Sequence, residues 1–148
     1  MRVQQLVNAN LTHAVQFPRL IAQLDHAIQW LSRSRDSTTL EEQFLCAWIA
    51  VEFLIQPDEA AGPIKGNVTS KISTLISRGD RTIRRYWTRK MDDCYDLRCD
   101  LVHEAKTDKT KLETLLPFLT QAIVECLYHC VGSLEELTDD CAPADLLN

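Results

Sequence analysis

The sequence predicts an all-α protein, a bundle of about five helices whose long fourth helix carries the most informative motif. Only four glycines and five prolines punctuate the 148 residues. Apolar residues recur at intervals of three and four rather than two, the period of a helix with one buried face. Apolar content of 45% over this length is enough to bury one core without disulfides or metal. A single domain is therefore expected over residues 1–148, with 1–16 a poorly ordered lead-in and 139–148 a frayed tail.

The first helix is expected to follow Pro18, whose fixed φ suits a first-turn position, and to run to about Arg33. Leu20, Ile21, Leu24, Ile28 and Leu31 form its inner face. After the polar turn SRSRDSTT, the second helix starts near Thr39, with Thr38 or Thr39 as cap and Glu42 placed for a capping box. Its body FLCAWIAVEFLI, Phe44 to Ile55, is apolar on every side except at Glu52, and such a helix belongs in the middle of a bundle. QPDEAAGPIKGN reads as a loop, and Asn67 as the cap of a short third helix ending near Ser77. The fourth helix runs from about Asp80 to His103, with Ile83, Trp87, Cys94, Leu97 and Leu101 along its buried stripe. EAKTDKT is a turn in which Asp108 can cap the last helical segment. Leu112, Leu115, Leu116, Leu119, Ile123, Leu127 and Val131 then continue at helical spacing, either as one helix kinked at Pro117 or as two joined there.

The six cysteines make no C-x-x-C pair. Cys46, Cys94, Cys126 and Cys130 sit in apolar helical patterns, where a free thiol behaves as a small hydrophobe. Cys126, His129 and Cys130 come nearest to a metal site, but no fourth ligand is apparent, and neither a metal nor another cofactor is expected. No stretch reaches the roughly 20 uncharged apolar residues of a membrane span, and the N-terminus lacks the apolar run of a signal peptide. The expected location is the cytoplasm, with no membrane partner.

A net charge of −5 argues against indiscriminate coating of nucleic acid. One tract runs the other way. Arg78, Arg81, Arg84, Arg85, Arg89 and Lys90 share a stretch with a single acid, Asp80.

The decapeptide YDLRCDLVHE, Tyr95 to Glu104, contains a fixed cation and a titratable imidazole in an R-x4-H arrangement. Guanidinium grips phosphate oxygens with a planar fork, and imidazole moves protons near neutral pH. At about 100° per residue, Arg98 lies roughly 50° from the centre of the buried stripe, and His103 roughly 140° around from Arg98 and about 7.5 Å further along. The two meet only if the helix ends or deforms between them, if Arg98 reaches across, or if a second chain supplies the complement. On an ideal helix His103 shares its azimuth with Arg78, Arg81, Arg85 and Arg89, which favours a polyanion surface. The competing reading pairs those arginines with Asp92, Asp96 and Asp100 at i+3 and i+4 spacing. Glu52 needs a cation among its apolar neighbours, and Arg98 is the best-placed partner. A Glu52–Arg98 pair would serve equally well as a purely structural link between two helices.

The R-x4-H motif ending a helix after Tyr95, with FLCAWIAVEFLI and its lone Glu52 upstream and a short helix between, resembles the HEPN domains, most closely their Apea-like branch. The resemblance covers roughly residues 41–104. It implies an all-α domain that homodimerises with the two motifs facing across a cleft and, in active, often toxin-like members, cleaves RNA without metal. On that resemblance Arg98 neutralises the phosphate, His103 acts as general acid or base on the ribose 2′-hydroxyl, and Glu52 orients Arg98. Arg78, Arg81, Arg85 and Arg89 bind RNA, with Tyr95, Cys99 and Asp100 as auxiliary candidates, in a role in defence or stress response. Many active members carry Asn, Asp or His after the arginine and often glycine after the histidine. This chain has Cys99 and Glu104 there, and Ala105 lacks the tyrosine of the nucleotidyltransferase-paired toxins. The alternative is an inactive HEPN module for dimerisation, adaptor contacts or RNA binding, within a larger protein.

Overall fold

A computed structural model of the chain describes residues 18–55, 64–104 and 107–132. The expected lead-in at 1–16, the tail at 139–148 with Cys141, and the Gln56–Pro63 part of the second loop lie outside these residues, as do the side chains of Leu20 and Val131. Among the described residues are five α-helices and no strand: α1 Pro18–Asp36, α2 Leu40–Ile55, α3 Ile64–Ser77, α4 Arg81–Cys99 and α5 Lys109–Gly132. A π-helical turn, Asp100–Glu104, extends α4. None of these helices is long and apolar enough to cross a membrane.

α1 and α2 form one helical hairpin and α3 and α4 a second, with α5 packed mainly against α2 and also touching α3 and α4. Thr39 Oγ1 accepts from the Glu42 backbone N–H at 3.3 Å, the first half of the expected capping box. The α1–α2 corner is closed by Ser34, whose hydroxyl donates to the Gln43 carbonyl at 2.6 Å, and by the Gln43 amide, which donates to the Ser37 carbonyl at 2.9 Å. α2 lies at the centre, burying Phe44, Cys46, Ala47, Trp48, Ala50, Val51, Leu54 and Ile55. A helix apolar on nearly every side finds enough partners only there. α5 is a single helix that contains Pro117, which stands exposed. Asp108 caps it, accepting from the Lys111 backbone N–H at 3.0 Å.

Two expectations are corrected. α3 begins at Ile64, so Asn67 sits inside its first turn rather than at its cap. Burial of Val68, Ile72 and Leu75 offsets the roughly 1 kcal/mol that Gly66 costs in a helix. Ile83 is 44% exposed instead of lying in the core, where Trp87, Met91, Cys94 and Leu97 do the packing. Arg78 belongs to the α3–α4 turn, with φ 48° followed by Gly79 at φ 90°, and glycine tolerates that left-handed conformation without strain. Asp80 then caps α4, accepting from the Thr82 and Ile83 backbone N–H groups at 2.8 and 2.9 Å. Across this hairpin, the Thr88 hydroxyl hydrogen-bonds to Ser73 Oγ at 2.9 Å.

Cys46, Cys94, Cys126 and Cys130 are free and buried. Burial pushes the Cys94 and Cys130 thiols from an ordinary 9.0 up to about 12, and Cys126 also rises through burial. A thiol held neutral in the fold but free to ionise when unfolded stabilises the protein below the unfolded pKa. That contribution is lost as pH rises from about 9 towards 12. Urea midpoints should therefore fall above about pH 9, and less steeply in Cys94→Ala. Equal pH slopes in wild type and variant would contradict the assignment to Cys94.

Candidate functional site

Three helix ends converge on the motif. Glu52 lies in the last turn of α2, Lys65 in the first turn of α3, and Tyr95 and Arg98 in the last turn of α4. Glu52 and Arg98 are brought together: Arg98 Nη2 lies 3.9 Å from Glu52 Oε1, with side chains 28% and 34% exposed. At that distance the contact is a loose ion pair rather than a hydrogen bond. Glu52 Oε1 has a closer partner in Trp48 one turn upstream, whose indole N–H donates at 2.8 Å. The carboxylate is thus held by a neutral donor as well as a cation and keeps some access to water. It is not the sealed buried pair that an isolated acid in an apolar helix suggests.

Arg98→Ala should consequently lower stability by at most about 1 kcal/mol, the range of exposed ion pairs. Chemical denaturation reads this directly, and a loss of several kcal/mol would mean that the pair is sealed from solvent. With five donors on the guanidinium, one loose approach to Glu52 leaves Arg98 with donors for a further acceptor.

The turn after Arg98 decides where His103 points. Asp100–Glu104 is π-helical, and a π turn bonds residue i to i+5 where an α turn bonds i to i+4. With about one more residue in the turn, each step rotates by roughly 80° rather than 100°. Three of the five steps from Arg98 to His103 fall inside this turn, so their separation narrows from about 140° to about 80°. The same turn moves His103 about 60° off the azimuth of Arg85, away from Arg89 and towards Arg81. Leu101 remains packed on the core, His103 is exposed, and Val102 is 51% exposed.

Tyr95 stands beside this end with its ring edge-on to Trp48 at 5.8 Å. Burial, then its hydrogen bond with Cys99, pushes the Tyr95 phenol up. Lys65 Nζ lies 2.7 Å from Asp96 Oδ1 and 5.8 Å from the Tyr95 ring centroid. The Asp96 hydrogen bond raises the Lys65 ammonium above its usual range. Asp96 is thus engaged across helices rather than with the basic tract, and Asp100 stands at the head of the π turn, partly exposed. Among the described residues no carboxylate pairs with Arg78, Arg81, Arg84, Arg85 or Arg89, since the ion pairs found are Lys65–Asp96, Arg98–Glu52 and Lys109–Glu113. All five arginines are exposed.

Trp48 and Lys65 are the members of this cluster that sequence reasoning missed. Trp48 was legible as the i−4 neighbour of Glu52. Lys65 fell in a stretch whose Gly and Pro content suggests a loop. Among the described residues no group of three His, Cys, Asp or Glu side chains is placed to hold a metal ion. Comparison with protein-family models, curated proteins and solved structures finds no match to this chain.

Proposed function

We propose that this chain is a metal-independent endoribonuclease of the HEPN type, acting as a homodimer in the cytoplasm on RNA during defence or stress response. Its reaction is transesterification by the ribose 2′-hydroxyl. His103 takes the hydroxyl proton or supplies one to the leaving 5′-oxygen, and Arg98 balances charge on the phosphoryl oxygens in the transition state. Glu52, itself held by Trp48, orients Arg98. The product is a 2′,3′-cyclic phosphate with a free 5′-hydroxyl on the other fragment.

One observation carries the proposal. The helix deforms into a π turn that starts just after Arg98 and carries His103, which swings His103 towards the side of Arg98. The five exposed arginines without a carboxylate partner among the described residues add a surface for the RNA backbone.

The test is incubation of the purified protein in EDTA with one oligonucleotide made both as RNA and as DNA. Cleavage of the RNA alone supports the mechanism. Cleavage of both, or of neither, removes it.

A second reading is an inactive HEPN module that dimerises or binds partners. It is favoured by the apolar Val102, 51% exposed beside His103, which suits a protein contact better than a phosphate. On this reading His103→Ala has no effect on any RNA, while Val102→Asp alters the oligomeric state.

A further inference from the structure

On the opposite flank of α4 from Arg98, an aromatic side chain stands in the open within the basic tract. Tyr86 is 48% exposed and Ile83, one turn back, is 44% exposed. The Tyr86 ring is held by two edge contacts, to Trp87 at 6.2 Å and 86° and to Phe118 of α5 at 6.1 Å and 62°. Trp87 and Phe118 also meet edge-on at 6.1 Å. The ring is therefore buttressed by a buried tryptophan and a half-buried phenylalanine. A half-exposed aromatic fixed in this way loses little freedom when something flat is laid on it.

Its surroundings are cationic. Arg89 and Lys90 follow Tyr86 by three and four residues and so neighbour it on the helix surface. Arg81, Arg85 and Arg89 form a row at four-residue intervals. The one acid in this stretch, Asp80, is occupied in capping α4. Lys90 Nζ sits 4.8 Å from the Phe118 centroid and 5.8 Å from that of Tyr86, so the lysine is held chiefly by Phe118. At Lys90 a groove of about 330 Å³ opens between α4 and the start of α5, lined also by Asp93, Asp96, Thr110, Lys111 and Thr114.

The geometry points to a second, non-catalytic subsite, in which Tyr86 stacks an unpaired base of single-stranded RNA while Arg85 and Arg89 hold the neighbouring phosphates. The charges set the direction of the strand across the helix. The groove carries both signs of charge, Asp93 and Asp96 with Lys90 and Lys111, whereas the row of Arg81, Arg85 and Arg89 is cationic alone, so the backbone lies on the arginine side and the bases on the Tyr86 side. A duplex has its base faces covered by their own stack and offers Tyr86 nothing. This subsite rests on the RNA-directed reading above and narrows it to unpaired RNA.

Binding is measured by fluorescence anisotropy in the His103→Ala background, so that affinity is read whether or not the protein cleaves. The probes are a labelled single-stranded RNA and a duplex of the same length, with thermal unfolding of each variant as the control for folding. Tyr86→Ala should weaken single-strand binding by about 5- to 150-fold, the equivalent of one lost base stack. Tyr86→Phe should bind as the parent does, and Tyr86→Leu should fall with the alanine variant. Arg85→Ala with Arg89→Ala should weaken binding and flatten its salt dependence. Unchanged affinity in Tyr86→Ala overturns the subsite, as does a duplex bound as tightly as the single strand. Binding preserved in Tyr86→Leu also overturns it and identifies a generic apolar contact such as a protein partner would use. Loss of binding with Tyr86 supports the subsite even where no cleavage is seen. Cleavage by wild type that persists with unchanged affinity in Tyr86→Ala overturns the subsite and leaves the catalytic proposal standing.

Discussion

Replacing His103 with alanine lowers the single-turnover rate of RNA cleavage by about 10²–10⁴-fold, the usual contribution of a positioned general acid or base, and leaves thermal unfolding unchanged. The second half of this expectation comes from position. His103 is exposed on the π turn and contributes nothing to the buried set formed by Trp87, Met91, Cys94 and Leu97. Activity and stability therefore separate cleanly at this residue. Arg98 is a less clean probe, because its guanidinium also touches Glu52. A His103→Ala protein that loses activity together with several degrees of melting temperature would place the histidine in the fold rather than the chemistry.

Trp48→Ala destabilises the protein by about 3–5 kcal/mol, the range for deleting a large buried aromatic. Trp48 is among the largest fully buried side chains, it lies on the central helix, and its ring meets Tyr95 at 5.8 Å. Trp48→Phe separates this packing from the hydrogen bond. The ring volume is largely kept while the donor to Glu52 Oε1 is lost, so the stability cost falls to about 1 kcal/mol. Glu52 is then released from its closer partner and holds Arg98 less well. The phenylalanine variant should consequently lose RNA-cleaving rate out of proportion to its small loss of stability. Denaturant midpoints and cleavage rates of both variants check this. Equal stability in Trp48→Phe and Trp48→Ala would mean that the hydrogen bond, not the packing, holds the helices here.

The parts of this architecture legible in the sequence are those that periodicity and desolvation dictate. The central place of α2 comes from FLCAWIAVEFLI, since a helix apolar all round is stable only when covered all round. Glu52 and Arg98 approach because a lone carboxylate in such a helix needs a partner. The caps at Thr39 and Asp108 arise from short polar side chains placed at the heads of helical patterns.

The features hidden from the sequence depend on tertiary facts. A helical wheel gives the azimuth of Ile83 but not whether a neighbouring helix reaches far enough to cover it. The sequence places the start of α3 too late because Gly66 and Asn67 disfavour a helix interior, whereas burial of Val68 and Ile72 outweighs that preference. Lys65 is hidden for the same reason. The π turn leaves no signature in DLVHE, which contains neither glycine nor proline. Only the demand that Arg98 and His103 share a side implied that the helix ends or deforms there, or that a second chain completes the site. The basic tract looks able to pair internally with Asp96, but the fold brings Lys65 to Asp96 first and leaves the arginines exposed.

The central claim, that Arg98 just before a π turn and His103 within it form one RNA-cleaving site, meets its most direct test in the ends of the fragments. Wild type and His103→Ala are incubated with the same RNA in EDTA, and the new 3′ termini are analysed. The expected result is 2′,3′-cyclic phosphate ends from the wild type and intact RNA with the variant. Equal degradation by the two proteins, or none by either, contradicts it.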